Sequence, residues 1–531
     1  MDEFTHKLET APCYHEVNKA FLATCKLLFG GQIGELKEFD GYLSGIMDRF
    51  RASKSVLTGK EVISNTYYPS DARFVSADET GGLKQPVIGI NDLKDIDSLV
   101  EAAREMFVYS GNRYFGNNAK LWMADNITDS QYVMNAHNVV KSKYASHSCY
   151  TRECSHIFGI VGNPYSQFSM MCSMGGNLMR CLESYSCSNS RDLYYCFMCD
   201  DCTDAMFSFG LRGKQYAIGN NVLPRDKYLA LKEKLVGEIA EELRGKKKIP
   251  QLIELPQYYK FVEKADLEGN PVSFAPCPSS VDEAFGKTTK LILGESLAPI
   301  YKYEPWLMGI NLFNMRKVLG AFERTAMKHS YGGFDKLHSA RLVREQDFFD
   351  IAQKTQVGGI DTKLDELRQK LAEKIYFTCA LTVMPSTNTV DTPYSLRCND
   401  TYVAIGVEAK YVGYAVAIKS NYIFGGLGRV VESNFDINCY DSVNITRCFE
   451  VDGSYNTSDS LFCHNCENVT NGLFSFNVKG KSNVVCNTQV GKDGFLKAKK
   501  VVLDYVLERL KQGKDVEGLH LFSVPEWNLK N

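Results

Sequence analysis

Residues Phe168–Arg212 read FSMMCSMGGNLMRCL, then ESYSCSNSRDLYYCF, then MCDDCTDAMFSFGLR when divided into fifteens. Cysteine falls at the fifth place of each line, as Cys172, Cys187 and Cys202. The fourteenth place holds Cys181, Cys196 and then Leu211, and Leu178 and Leu193 share the eleventh. Fifteen residues are too many for one strand and too few for a helical hairpin. They suit one coil of a β-solenoid, in which equivalent positions stack into inward ladders. Coils about 4.8 Å apart leave a narrow interior. A buried thiol fits there as a small hydrophobe.

A second repeat is longer. Displaced by 267 residues, Ser166–Asn220 lies over Ser433–Asn487 without a gap and with 18 identities in 55 positions. Cys172, Cys181, Cys196 and Cys199 meet Cys439, Cys448, Cys463 and Cys466, while Arg180, Glu183 and Asp192 meet Arg447, Glu450 and Asp459. The register continues into two amphipathic helical patterns, Arg225–Arg244 and Lys492–Lys511, placed to cover the open end of each stack. Ahead of the ladders, Ile96, Val100, Ala103 and Phe107 match the stripe Ile360, Leu364, Leu367 and Leu371, and Tyr14–Phe50 and Tyr301–Met327 look helical. The expected fold class is α+β: a tandem duplication, each half a helical segment, a short β-solenoid of about 15 residues per coil and a capping helix. The expected division is a helical segment over 1–130, a first solenoid over 131–222 and a capping helix over 223–248. A second helical segment over 249–390, a second solenoid over 391–489 and a capping helix with tail over 490–531 follow. The break between halves falls where the basic run Arg244–Lys248 meets Pro250 and Pro256.

The totals narrow the function classes. A formal net charge of −2 over 531 residues argues against a nucleic-acid partner or an anionic membrane held by bulk charge. No secretory signal and no membrane span are visible, so 18 cysteines point to reduced thiols in a cytoplasmic setting. Disulfides Cys172–Cys187 or Cys181–Cys196 would fit between coils, but the compartment argues against them. The Asn-x-Ser/Thr matches at Asn126, Asn399, Asn444, Asn456 and Asn468 read as turn residues or chance.

Cys196, Cys199 and Cys202 form C-x-x-C-x-x-C, and Cys463 with Cys466 forms C-x-x-C. That spacing is the alternative, metal reading: zinc or an iron–sulfur cluster, with Cys187, Cys181, His156 or His464 completing the set. Two points oppose it. Val469 replaces the third cysteine in the second copy, and residues i and i+3 of a strand point to opposite faces. His147 and His156 beside Cys149 and Cys154 offer no metal motif, nor does His137 or any other of the nine histidines. Asp200, Asp201 and Asp204 would suit glycoside hydrolysis, the third reading, but the copy carries Glu467, Asn468 and Asn471. Gly30-Gly31-Gln-Ile-Gly34 and Gly425-Gly426-Leu-Gly428 lack a P-loop lysine and read as turns. No catalytic residue, cofactor site or metal site is therefore assigned.

At SNSRDLYYCFMCDDCTDAMFSFGLRGKQYAIGNN the chain resembles cysteine-rich short-repeat proteins of large tailed phages and candidate-phylum bacteria. The closing signature is Phe209–Asn220; Ala217 and Gly219 depart from the pattern, with no cysteine in that segment. The resemblance covers about Cys149–Leu243, with a degraded copy at Cys439–Leu510, and transfers no catalytic residue. It implies a phage origin and a virion or assembly role. The expectation is a non-enzymatic, self-associating structural protein whose partners are subunits of the same assembly. It would reside in the host cytoplasm during assembly and then in the virion, capsid or tail.

Overall fold

From Lys120 to Gly219 every third residue has a positive φ, and this rule builds the first half of the protein. The structure is a computed structural model. It describes residues 7–48, 50–65, 67–84, 95–104, 106–263, 267–310, 313–358, 361, 363–382, 385–426, 430–513 and 516–527. The left-handed residue bends the chain, two extended residues follow, and the residue just after each bend points inward. Those inward positions include Ile127, Val133, Ala136, Cys154, Cys172, Leu178, Cys181, Cys187, Leu193, Cys196, Cys199, Cys202 and Ala205, which form one buried core. An L-residue at positive φ costs energy, least for Asn and Asp. Asn126, Asp129, Asn135, Asn138, Asn177, Asn189, Asp192, Asp201 and Asp204 accordingly occupy bends.

After a first pairing thirteen apart, Tyr114↔Ile127, the strands pair in parallel at a step of twelve. Ala119↔Gln131, Lys143↔Ser155, Cys172↔Ser184 and Ser184↔Cys196 are successive partners. The expected spacing of fifteen is corrected by this register. Twelve and fifteen are both multiples of the three-residue unit, so inward cysteines recur at either interval, whereas backbone pairing selects twelve. The stack ends when Asn221–Val222 turns back antiparallel on Gln215–Ile218, and the helix Arg225–Lys246 follows. Lys232 on that helix reaches Asp204 at 2.6 Å. The basic run is used within the chain: Arg244 donates to the Gln32 carbonyl, and Lys247 to that of Ile33. Gly30, at φ 72°, ends the helix Tyr14–Phe29, so the first glycine-rich stretch is a helix stop.

The second ladder has the same grammar with a less regular step. Thr387↔Asn399 is twelve apart, Asn399↔Lys410 and Lys410↔Asn421 eleven, Asn421↔Asn434 thirteen, and Phe449↔Leu461 twelve again. Its core holds Cys398, Cys439, Cys448, Cys463, Cys466, Val412, Ile423 and Val451. Thr488–Gln489 closes it antiparallel, and the helix Gly491–Gln512 follows. Residues 427–429, part of the second glycine-rich stretch, lie outside the described residues.

The molecule is mixed α and β and divides into two compact units, each drawn from three stretches of chain. The first is Met1–Ala52, Asn112–Val272 and Val318–Cys379; the second is Ser53–Gly111, Ser273–Lys317 and Ala380–Asn531. The linear division expected from the sequence differs from this. Val318–Cys379 belongs with the first ladder, where Phe348 and Phe377 pack on Phe197 and the Arg368 guanidinium covers Tyr195. Ser53–Gly111 belongs with the second, where Tyr68 and Tyr109 pack on His464. The expected helical segments are also corrected. Strands Phe50–Lys54, Glu61–Asn65 and Arg73–Ser76 lie in 1–130, the first ladder starts at Tyr114–Phe115, and 301–327 contains strands Arg316–Leu319 and Thr325–Lys328. The stripe at Ile96–Arg104 is a helix, and its counterpart is Leu364–Lys374; Ile360 lies outside the described residues.

Candidate buried polar cluster and the fate of the cysteine motifs

Each of the 18 cysteines is a free thiol, and the five of the CxxC motifs point into the ladders. Cys196, Cys199 and Cys202 share one side of the backbone because the bend between them turns the chain. The expectation that i and i+3 face apart assumed flat strands and is corrected. Each thiol serves the backbone. Cys196 Sγ donates to the carbonyls of Tyr194 (3.6 Å) and Ala205 (3.4 Å), and Cys202 Sγ to those of Asp200 (3.2 Å) and Leu211 (3.6 Å). Cys199 Sγ lies 3.6 Å from the Phe197 and Ser208 carbonyls, and Cys187 Sγ accepts from the Cys199 amide at 3.3 Å. Cys463 and Cys466 repeat this on the carbonyls of Leu461, His464 and Ser475. Burial pushes the Cys202 and Cys181 thiols up to about 12, and those of Cys187, Cys196 and Cys463 well above the usual range. These are neutral donors. At Cys199, burial acting to raise the thiol is outweighed by hydrogen bonds from the Cys187 and Cys196 thiols, which hold it well below the usual range.

The aspartates do not converge. Asp200 accepts from the Ser188 amide, and burial raises its carboxyl to about 6. Asp204 pairs with Lys232, and Asp201 sits exposed at a bend. The proposed histidine ligands lie elsewhere. His156 stacks on Phe168 at 4.5 Å, and His147 Nε2 meets Asp40 at 2.8 Å. His464 leaves the thiols altogether: its Nδ1 contacts Asp452 at 2.7 Å, and its Nε2 accepts from the Ser110 amide at 2.7 Å. Tyr67 and Tyr68 donate to the same Asp452 carboxylate.

Two groups were not singled out from the sequence. The first is a matched pair of buried glutamates. Glu183 accepts from Tyr42 Oη (2.7 Å), Tyr185 Oη (3.1 Å) and the Leu252 amide (3.0 Å), at the start of a short 3-10 helix. Burial lifts its carboxyl to about 7. Glu450 accepts from the Leu521 amide (2.8 Å) and contacts His520 (3.0 Å), again at the start of a 3-10 helix. Both acids fix the segment that follows the terminal helix of their ladder.

The second group is Asp48, His137 and Cys149, whose ligating atoms lie within 4.8 Å of one another. His137 and Cys149 face each other across adjacent strands. They continue a column begun by the buried ion pair Arg113–Asp125 at 2.6 Å. Cys149 and His137 are almost wholly buried, and Asp48 is partly buried. Cys149 does not belong to the inward core. The segment Asp40–Asp48 is laid over this face by Asp40 on His147 and Tyr42 on Glu183. Burial and the like charge of Asp335 push the Asp48 carboxyl up to about 7, while burial holds His137 down at about 4 and drives the Cys149 thiol well above its usual range. The sequence carried one signal for this group: Cys149 lies outside the every-third-residue series and twelve after His137.

Among the described residues no helix is long and apolar enough to cross a membrane. In comparisons with known proteins, no family model, no curated protein and no solved structure matches this chain.

Proposed function

We propose that each parallel stack is a short β-solenoid, that the two arose by tandem duplication, and that the chain is a structural, self-associating component of a large assembly. The phage particle is the assembly suggested by the resemblance at Phe209–Asn220. The observation that carries the structural reading is the use of the reactive groups: the five motif thiols and the buried Glu183, Glu450 and Asp452 are engaged in hydrogen bonds that hold strands and straps.

Duplication is supported by equivalent contacts at the 267-residue offset. Arg180–Asp192 and Arg447–Asp459 are both 2.6 Å ion pairs. The Phe209 amide donates to Asn220 Oδ1, and the Phe476 amide to Asn487 Oδ1, each at 2.8 Å. Self-association is supported by Tyr114 and Phe115, adjacent large apolar residues on the first strand of the ladder, each 43% exposed. An exposed apolar pair offers contact area to a second chain. Sedimentation velocity across a hundredfold concentration range tests this. Concentration-dependent growth in mass, reduced by the double change Tyr114→Lys and Phe115→Lys, is expected. A monomer at every concentration sinks the self-association reading.

A further inference from the structure

We infer that Asp48, His137 and Cys149 form a binding site for one divalent transition-metal ion of the zinc class. Thiolate, imidazole and carboxylate are the donor set such ions prefer. In a tetrahedral site with bonds of about 2.0–2.3 Å the donors stand about 3.3–3.8 Å apart. The three atoms here lie within 4.8 Å, so side-chain rotation of about 1 Å closes the set.

Three further observations point to a ligand. His137 Nε2 is buried with no well-formed hydrogen bond among the described residues; the Asp48 backbone is the polar group beside it and beside the Cys149 thiol. Its Nδ1 faces the Asn138 side-chain amide at 3.1 Å. An imidazole bound through Nε2 carries its proton on Nδ1, so Asn138, whose Oδ1 accepts from Asn126 Nδ2, would turn over together with Asn126 to accept it. Cys149 departs from the column in which the ladder's other thiols fill space, so its position is not explained by packing in the narrow interior.

The charges also balance. A dication held by one thiolate and one carboxylate is neutral, which a buried site requires. Binding releases the Cys149 proton to solvent as the sulfur–metal bond forms. Three protein donors leave the fourth position of a tetrahedral site to a water molecule. The ion would staple the segment after Ile46 to two adjacent strands of the same unit.

The test uses the full chain stripped with a chelator and titrated with Co²⁺ as the probe, then competed with Zn²⁺. A sulfur-to-cobalt absorption band that saturates at one equivalent is expected. Cys149→Ser should abolish it, His137→Gln should weaken binding about tenfold or more, and Cys199→Ser and Cys466→Ser should leave it intact. Absence of the band in the unmodified chain overturns the site. So does a band that survives Cys149→Ser or vanishes with Cys199→Ser. Should Cys149→Ser fail to fold, Asp48→Asn decides: unchanged affinity in that folded variant overturns the site equally.

Discussion

A thiol and a hydroxyl do the same work in these ladders. Column residues Cys172, Ser184, Cys196 and Ser208 each donate to the carbonyl two residues back, at 3.4, 3.1, 3.6 and 2.9 Å. Chemical identity therefore matters less than width. Cys196→Ser should change the urea midpoint little, whereas Cys196→Phe should lose about 1–3 kcal/mol through overpacking; equal effects would contradict the role assigned to that column. Glu183 gives a pH signature. Its folded carboxyl titrates at about 7, above the ordinary 4.5, so the folded state binds a proton that the unfolded chain has released between those values. Stability is greatest below about pH 4.5 for this group and falls as pH rises through about 7, by about 3 kcal/mol for a shift of this size. Denaturant titrations at pH 5 and pH 8 should show this loss, and Glu183→Gln should reduce it, leaving the share of Asp48 and Asp200, which are raised in the same window. A variant as pH-dependent as the parent would rule out Glu183 as the source.

At the scale of the element, the unit is three residues long, with the bend as its costly member. Side-chain ladders help to hold the bends: Asn456 donates to Asn468 at 3.2 Å, Asn465 to Asn477 at 2.8 Å and Asn471 to Asn483 at 3.0 Å. Asn456→Val should cost about 1–3 kcal/mol, because a β-branched residue resists positive φ, while Asn456→Gly should cost less. Comparable thermal midpoints for the two variants would contradict this. The pattern also accounts for four of the five glycosylation-like matches; Asn399 begins a strand instead. Asn126, Asn444, Asn456 and Asn468 all occupy bends, and a slender inward residue follows each. Much of this was legible in the sequence: slender thiols inside and the helix after each ladder could be read from spacing alone. The step of twelve was not, because Cys172, Cys187 and Cys202 mark only where the chain turns inward. Pairing is settled between backbones, which carry no sequence label. The cluster at Asp48 was hidden for a related reason, since the segment bringing it to His137 is 89 residues away in sequence.

At the scale of the molecule, the boundary visible near Lys246–Leu255 separates two sequence repeats, yet each compact unit takes a stretch from the other side of it. Sequence similarity between the ladders is what the proposed duplication rests on, whereas the docking of Phe348, Phe377 and Arg368 on the first ladder depends on contacts between distant stretches. Expressed separately, 1–250 and 251–531 should each be poorly folded and recover native-like hydrogen-exchange protection only when co-expressed. Full protection of either piece alone would refute the interdependence of the stretches. The same arrangement bears on synthesis. A ribosome making this protein releases the entire first ladder long before Val318–Cys379 emerges to cover Phe197 and Tyr195. The nascent chain therefore carries an uncovered aromatic flank through a long interval of translation, and a chaperone attending that interval would have a defined surface to shield.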